Sequence, residues 1–262
     1  GHSERDVTDP ETNTSMGLAG RALARENYVI LVETLQELAT RLAMGDPREI
    51  PAAIVFAGPT QELLQVDQQA LLGYARSGGS ILFMLEPYLT PDSFKQFLSR
   101  FAVAVGNGEA ADVGSFVAPN PTFIQVKKSN GQLPLHPVTE GFEVLYMPGS
   151  THFGWSVDPA SIQLYENTIP IVDQGILAST TISSWSETNT ESLNFDINTE
   201  IGGPLPIAIV VKAIGELGVG FYDDGESLTT TNMVLIGDTD FASNNYFGSA
   251  NNADLFVNAV NF

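Results

Sequence analysis

Four short runs of apolar residues recur along the chain, and each is continuous rather than alternating with polar positions. The runs are residues 52–57, 81–85, 207–211 and 233–236. Strands that are apolar at every position are buried on both faces, which is typical of a parallel sheet covered by helices. Between the first two runs, residues 65–76 carry apolar side chains on one helical stripe, and Gly78-Gly79 follows as a helix end. The pattern predicts a β-α-β unit with a right-handed crossover.

The remaining periodic segments predict further helices and one more strand. Helical spacing of apolar residues predicts helices over 17–26 and 34–43, a helix beginning at Pro91, and a last helix over about 252–260. The compact apolar run 28–32 predicts a strand.

Residues 103–175 differ from the rest of the chain because helical periodicity is weak and Pro, Gly and Asn are frequent. Such composition, with short alternating pieces, predicts small strands and hairpins. We therefore expect two parts: an α/β core domain formed by residues 1–102 and 176–262, and a β-rich insertion over 103–175 packed on that core. The polar stretch 183–201 is expected to be an exposed loop.

Composition narrows the class of protein. The chain has 262 residues, and 43% of them are hydrophobic, which is near the average of globular proteins and is enough for a substantial core. Only 16% are charged, which is well below that average. The net charge is −20, and Lys212 is the one basic residue beyond position 131, so nucleic acid and anionic lipid surfaces would be repelled. No cysteine is present, which excludes disulfides and thiolate catalysis. No apolar run approaches the roughly 20 residues of a membrane span.

Familiar catalytic motifs are missing from the sequence. It contains no G-x-x-x-x-G-K-[ST], no G-x-G-x-x-G after a strand, no G-x-S-x-G and no H-E-x-x-H. The three histidines have no metal-ligand spacing. We therefore expect neither cofactor nor metal, and no catalytic residue is assigned.

The strongest candidates for a binding site follow the predicted strands, because ligands of parallel sheets bind beyond the carboxyl ends of the strands. These candidates are Gly58, Thr60, Glu86, Asp238, Asp240 and Asn244. Their carboxylate and amide oxygens suit a divalent cation or sugar hydroxyls. The alternative interpretation is structural: Asp238 caps the turn after its strand, and Asp240 or Ser243 caps a short helix.

Two further candidates lie elsewhere in the chain. His136 precedes a proline, where a histidine is usually a turn residue with a hydrogen-bonded ring. Trp185 with Glu187, in a polar stretch, suits either a sugar-stacking platform or interface anchor, or a lid over the core.

Several segments, in order, resemble the extracytoplasmic auxiliary proteins of uncharacterised and gliding-motility-type ABC transporters. The segments are G-H-S-E-R-D at 1–6, A-G-P-T at 57–60, R-S-G-G-S-I-L at 76–82, H-P-V-T at 136–139, S-S-W-S-E at 183–187, G-P at 203–204, G-D-T-D-F-A-S-N at 237–244 and N-A-V at 258–260. Ser3 stands where that family has glycine. The resemblance covers nearly the whole chain.

The resemblance implies a flavodoxin-like fold, similar to class I glutamine amidotransferases: a mostly parallel sheet with helices on both faces. It also implies a position on the outer side of the membrane, anchored by flanking segments, beside separate permease and ATPase subunits. Amidotransferases of this fold use a cysteine nucleophile, which this chain lacks. We therefore expect a non-catalytic domain that binds a small molecule, a saccharide or a protein partner. The alternatives are a carbohydrate-active or metal-assisted hydrolase using Glu86, Asp238, Asp240 and His136, and a homo-oligomeric scaffold.

Overall fold

The computed structural model describes residues 2–155, 169, 171–189, 191–214 and 230–262. Gly1 and part of the predicted insertion (156–168 and 170) lie outside the described residues. The α-helices are α1 (Gly17–Arg25), α2 (Leu35–Met44), α3 (Gln65–Arg76), α4 (Asp92–Ser99) and α5 (Asn252–Asn261). The strands are β1 (Ala53–Ala57), β2 (Ser80–Met84), β3 (Val103–Val105), β4 (Glu109–Asp112), β5 (Phe116–Val117), β6 (Asn120–Lys127), β7 (Val144–Met147), β8 (Phe153–Trp155), β9 (Ile171–Ser179), β10 (Ser184–Glu187), β11 (Pro206–Ile214) and β12 (Thr230–Ile236).

The largest sheet has five strands in the order β1-β2-β12-β11-β9. Strand β2 pairs in parallel with both β1 and β12, whereas β11 is antiparallel to β12 and to β9. Successive residues of β2 enter opposite clusters of the core: Ile81 and Phe83 pack with α2, α3 and α4, and Leu82 and Met84 pack with α1 and α5. The three parallel strands therefore end at one edge, where the candidate site lies.

The flavodoxin-like, mostly parallel fold is wrong for this chain. The described residues form a mixed α/β structure in which antiparallel pairings predominate, including every pairing within the smaller sheets β10-β4, β3-β8 and β5-β6-β7. The apolar run 207–211 lies in β11, which is antiparallel to both neighbours. A continuous apolar run indicates a strand that is buried on both faces. An antiparallel strand can be covered on both faces too, so the run does not determine whether a strand is parallel or antiparallel to its neighbours.

Two local expectations are also corrected. Residues 28–32 form no strand; Val29 is 85% exposed and Val32 is 79% exposed, because no neighbouring strand pairs with this segment in the described structure. Within the stretch expected to be an exposed loop, Ser184–Glu187 is a fully buried strand, β10, which pairs with β4.

The β-rich region packs directly on the sheet. Ile124 and Leu145, from β6 and β7, belong to the same hydrophobic cluster as α5. Strand β9, which spans the predicted boundary at 175/176, pairs with β11 in the five-stranded sheet. The division into two domains stays a prediction. Among the described helices, none combines the length and the apolar character that crossing a membrane requires.

Candidate functional site

Three of the predicted carboxylates meet at the edge where the parallel strands end. Glu86 follows β2, and Asp238 and Asp240 follow β12. One oxygen of each residue lies within 4.8 Å of the others. Because β2 and β12 are parallel neighbours, the loops after them emerge side by side, which is why residues about 150 positions apart form one cluster. We call Glu86, Asp238 and Asp240 the acidic cluster.

The guanidinium of Arg5 bridges the acidic cluster. Its Nη2 donates to Glu86 Oε1 at 2.7 Å, and its Nη1 donates to Asp240 Oδ1. The backbone N–H of Arg5 donates to the carbonyl of Ala57 at 2.9 Å, which holds this residue beside the end of β1. Arg5 was not among the predicted site residues. Its place in the G-H-S-E-R-D segment, in a chain poor in basic residues, was the signal for it.

Burial and mutual repulsion dominate the electrostatics of the cluster. Burial, together with the charge of Asp240, raises the pKa of Glu86 to about 7, although Arg5 opposes the rise. Burial and the charges of Glu86 and Asp240 raise the pKa of Asp238 well above its usual range. One guanidinium therefore compensates three carboxylates incompletely.

Asp238 is fully buried and only weakly hydrogen-bonded. Its Oδ1 accepts from the backbone N–H of Phe241 at 3.3 Å, and its Oδ2 accepts from that of Gly149 at 3.4 Å. Both contacts exceed the usual N–H···O distance, so they offset little of the cost of burying the carboxylate. The contact to Phe241 agrees with the predicted turn-capping role.

The segment before Arg5 covers the loop after β1. The carbonyl of His2 accepts from the backbone N–H of Thr60 at 2.9 Å and of Gln61 at 3.1 Å. The buried imidazole of His2 lies 3.1 Å from Glu4 Oε1. Gly58 has a φ of 67°, which a residue with a Cβ rarely adopts, and so it makes the sharp turn out of β1. Thr60 itself is exposed.

Asn244 is a structural residue. Its Oδ1 accepts from the backbone N–H of Leu18 at 2.8 Å, and its Nδ2 donates to the carbonyls of Asp9 and Thr12. These three bonds tie α1 and the loop before it to the loop after β12.

Trp185 and Glu187 lie in β10 and are bonded to each other. The indole Nε1 of Trp185 donates to Glu187 Oε2 at 3.0 Å, and both residues are buried. Glu187 Oε1 accepts from the backbone N–H of Asn189 at 2.8 Å, and its carbonyl accepts from the hydroxyl of Tyr88 at 2.7 Å. This burial favours the core-lid interpretation over a sugar platform.

His136 is separate from the acidic cluster. Its Nδ1 accepts from the backbone N–H of Val138 at 3.2 Å, and its ring lies 5.3 Å from that of Phe262. Burial lowers its pKa. The contacts match the turn residue that its position before proline predicts.

A cavity of about 350 Å³ lies between the loop after β3 and the segment after β10. Its lining includes Asn107, His152, Ser186 and Glu200. Burial lowers the pKa of His152, whose Nδ1 makes no hydrogen bond with a described residue. No motif in the sequence pointed to this cavity.

Comparison with known proteins gives likenesses of structure rather than of sequence. No family model matches the sequence, and no curated protein matches it. The structure is similar to the mmIFT52 N-terminal domain, with a TM-score of 0.59 and 14% identity over 96% of this chain and 90% of that one. A ThuA-like protein from Bacteroides uniformis matches with a TM-score of 0.47 and 14% identity over 93% of this chain and 81% of that one. The first likeness shows a shared fold alone.

Proposed function

We propose that this chain is a non-catalytic recognition domain of an ABC-type transport system, located outside the membrane beside separate permease and ATPase subunits. One observation carries the proposal. Three segments that resemble the auxiliary family, around Arg5, Gly58 and Asp238, are far apart in sequence and converge on one sheet edge.

The chemistry of this edge supports recognition rather than turnover. Arg5 holds Glu86 and Asp240 in ion pairs, and Asp238 is fully buried. Groups held in this way position neighbouring loops, and a substrate would first have to displace the guanidinium.

An exposed apolar surface beside the cluster suits a protein partner. We define the rim as Leu64, Val66, Tyr88 and Leu89, whose side chains are between 45% and 59% exposed. They lie in or next to the loops after β1 and β2. The backbone N–H of Leu63, in the first loop, donates a hydrogen bond of 2.7 Å to the hydroxyl of Ser93 in the first turn of α4, which follows the second loop. Exposed apolar residues grouped beside polar ones are typical of interaction sites.

The proposal is tested by recovering partners of the full-length protein from its native membrane in mild detergent. We expect the permease and ATPase subunits to copurify, and Leu89→Glu to reduce their recovery by about tenfold, the effect of losing one interface anchor. Leu135→Glu is the matched control, because Leu135 is 94% exposed and lies outside the rim. Recovery of neither subunit with the unaltered protein would contradict the proposal.

The metal-assisted or carbohydrate-active hydrolase remains the second candidate. The observation that favours it is the close grouping of three carboxylates, one with a pKa of about 7, which suits a general acid. Turnover of nitrophenyl glycosides or phosphate esters that disappears in Asp240→Asn would replace our proposal with this one.

A further inference from the structure

The acidic cluster carries more negative charge than its surroundings compensate. Three carboxylates meet there, and Arg5 is their one ion-pair partner within the described part of the chain. When all three carboxylates are ionised, two further positive charges are needed to balance them, and a bound cation would take the place of the protons that otherwise neutralise the cluster. Carboxylates this close are stabilised by a bound cation, which is often the largest local charge in such a site.

Oxygen atoms remain free to bind that cation. Arg5 engages Oε1 of Glu86 and Oδ1 of Asp240, so the second oxygen of each carboxylate has no hydrogen bond with a described residue. Asp238 holds its two backbone contacts at 3.3 and 3.4 Å, which are long enough to yield to a stronger ligand. The cluster can therefore coordinate a cation while Arg5 stays in place.

A separate observation points into the same place. Thr239, between the two aspartates, is fully buried, and its hydroxyl makes no hydrogen bond with a described residue. The hydroxyl faces the turn at Gly58, 3.1 Å from where a Cβ on that glycine would stand, and it interacts with the Glu86 carboxyl, whose pKa it lowers, without reaching ordinary hydrogen-bond geometry. A buried hydroxyl without a partner is unfavourable, and a cation bound by its oxygen would give it one.

We propose that Glu86, Asp238 and Asp240 bind one hard divalent cation, Mg²⁺, Mn²⁺ or Ca²⁺, with the Thr239 hydroxyl at its edge. Every donor is oxygen, and such donor sets select these ions over Zn²⁺ or Cu²⁺. The ion and the Arg5 guanidinium together neutralise the three carboxylates. This inference does not depend on a transport role.

The test is titration of chelator-stripped protein with Mn²⁺, followed by electron paramagnetic resonance, and with Mg²⁺ and Ca²⁺ by calorimetry. We expect one Mn²⁺ per chain, displaced by whichever of Mg²⁺ or Ca²⁺ the site prefers. Asp240→Asn should weaken binding at least tenfold, the loss of one anionic ligand. Thr239→Val should weaken it by a factor of about three, the loss of a weak neutral ligand.

Glu140→Gln is the matched control, because Glu140 is an exposed carboxylate outside the cluster. It should leave the affinity unchanged, and far-UV circular dichroism should show that all three variants are folded. Absence of saturable binding of any of the three ions up to about 10 mM, beyond the weakest calcium modules, would overturn the proposal. Equal affinities in Asp240→Asn, Thr239→Val and Glu140→Gln would overturn it too. Recovery of partners from membranes is a separate measurement, so failure of cation binding and failure of the proposed transport role can be told apart.

Discussion

Among the described residues, Asp112 and Asp238 are the two aspartates with no exposed surface, and their surroundings differ sharply. Asp112, at the end of β4, accepts four hydrogen bonds of 2.6 to 3.2 Å, from the backbone N–H groups of Gly114, Ser115 and Thr181 and from the Thr181 hydroxyl. Asp238 accepts two, both of at least 3.3 Å, and has two carboxylates beside it. A buried carboxylate that accepts several short hydrogen bonds organises a turn, whereas a buried carboxylate with few and long hydrogen bonds suggests a further ligand.

The largest expected effect is a difference in stability between substitutions of Asp112 and of Asp238. Asp112→Asn places an amide NH₂ against backbone donors and removes the charge that strengthens these bonds, so we expect a loss of about 3 kcal/mol in the free energy of unfolding. Asp238→Asn gives up only long contacts and relieves repulsion, so its loss should stay within about 1 kcal/mol. Urea unfolding at pH 8 with chelator present measures both. Equal losses would remove the distinction.

The second effect concerns pH. Because the pKa of Glu86 is raised from 4.5 in the unfolded chain to about 7 in the folded protein, the folded state holds an extra proton between those values. Stability should therefore fall as the pH rises through that window, by on the order of 2 to 3 kcal/mol. The raised pKa of Asp238 acts in the same direction.

Urea unfolding between pH 5 and pH 8, in chelator, measures the slope. Glu86→Gln cannot titrate at position 86 and should reduce the slope of stability against pH, while the part that belongs to Asp238 remains. A variant that keeps the full slope would show that the proton belongs to another group.

The smallest of the three effects belongs to Arg5. Arg5→Gln leaves the acidic cluster without its guanidinium and should cost about 2 kcal/mol at pH 8. The cost should shrink at pH 5, where the carboxylates hold protons. Arg48→Gln is the control, since its side chain is 88% exposed and its pair with Asp46 should contribute nothing measurable. Loss of equal stability in both variants would place Arg5 among ordinary surface ion pairs.

Local elements were largely predictable from spacing. The stripe in residues 65–76 corresponds to α3, and the apolar runs correspond to β1, β2, β11 and β12 within a few residues. These elements follow from burial of one helical face or of a whole strand, which neighbouring residues encode. The segment 28–32 has the composition of a strand without being one, because a strand also needs a neighbour that supplies hydrogen bonds.

The candidate site was predictable in part. Glu86, Asp238 and Asp240 were expected at one edge because each follows an apolar run, and the parallel arrangement of β2 and β12 brings them together. The pairing of Arg5 with carboxylates 81 and 235 positions away was not predicted, because the residues near Glu86 and Asp240 in the sequence do not indicate which basic side chain will contact them. Burial of Trp185 and Glu187 in a strand was missed because their neighbours are polar.

The sequence by itself determined most of the helices and the four apolar strands β1, β2, β11 and β12, that thiol chemistry is excluded, and that acidic residues follow two of these strands. Spacing and residue type carry this information over a few positions. Only the tertiary structure decided the direction of β11, that Arg5 pairs with the acidic cluster, and which buried aspartate is satisfied. Those properties depend on contacts between residues far apart in the chain, which short-range patterns do not contain.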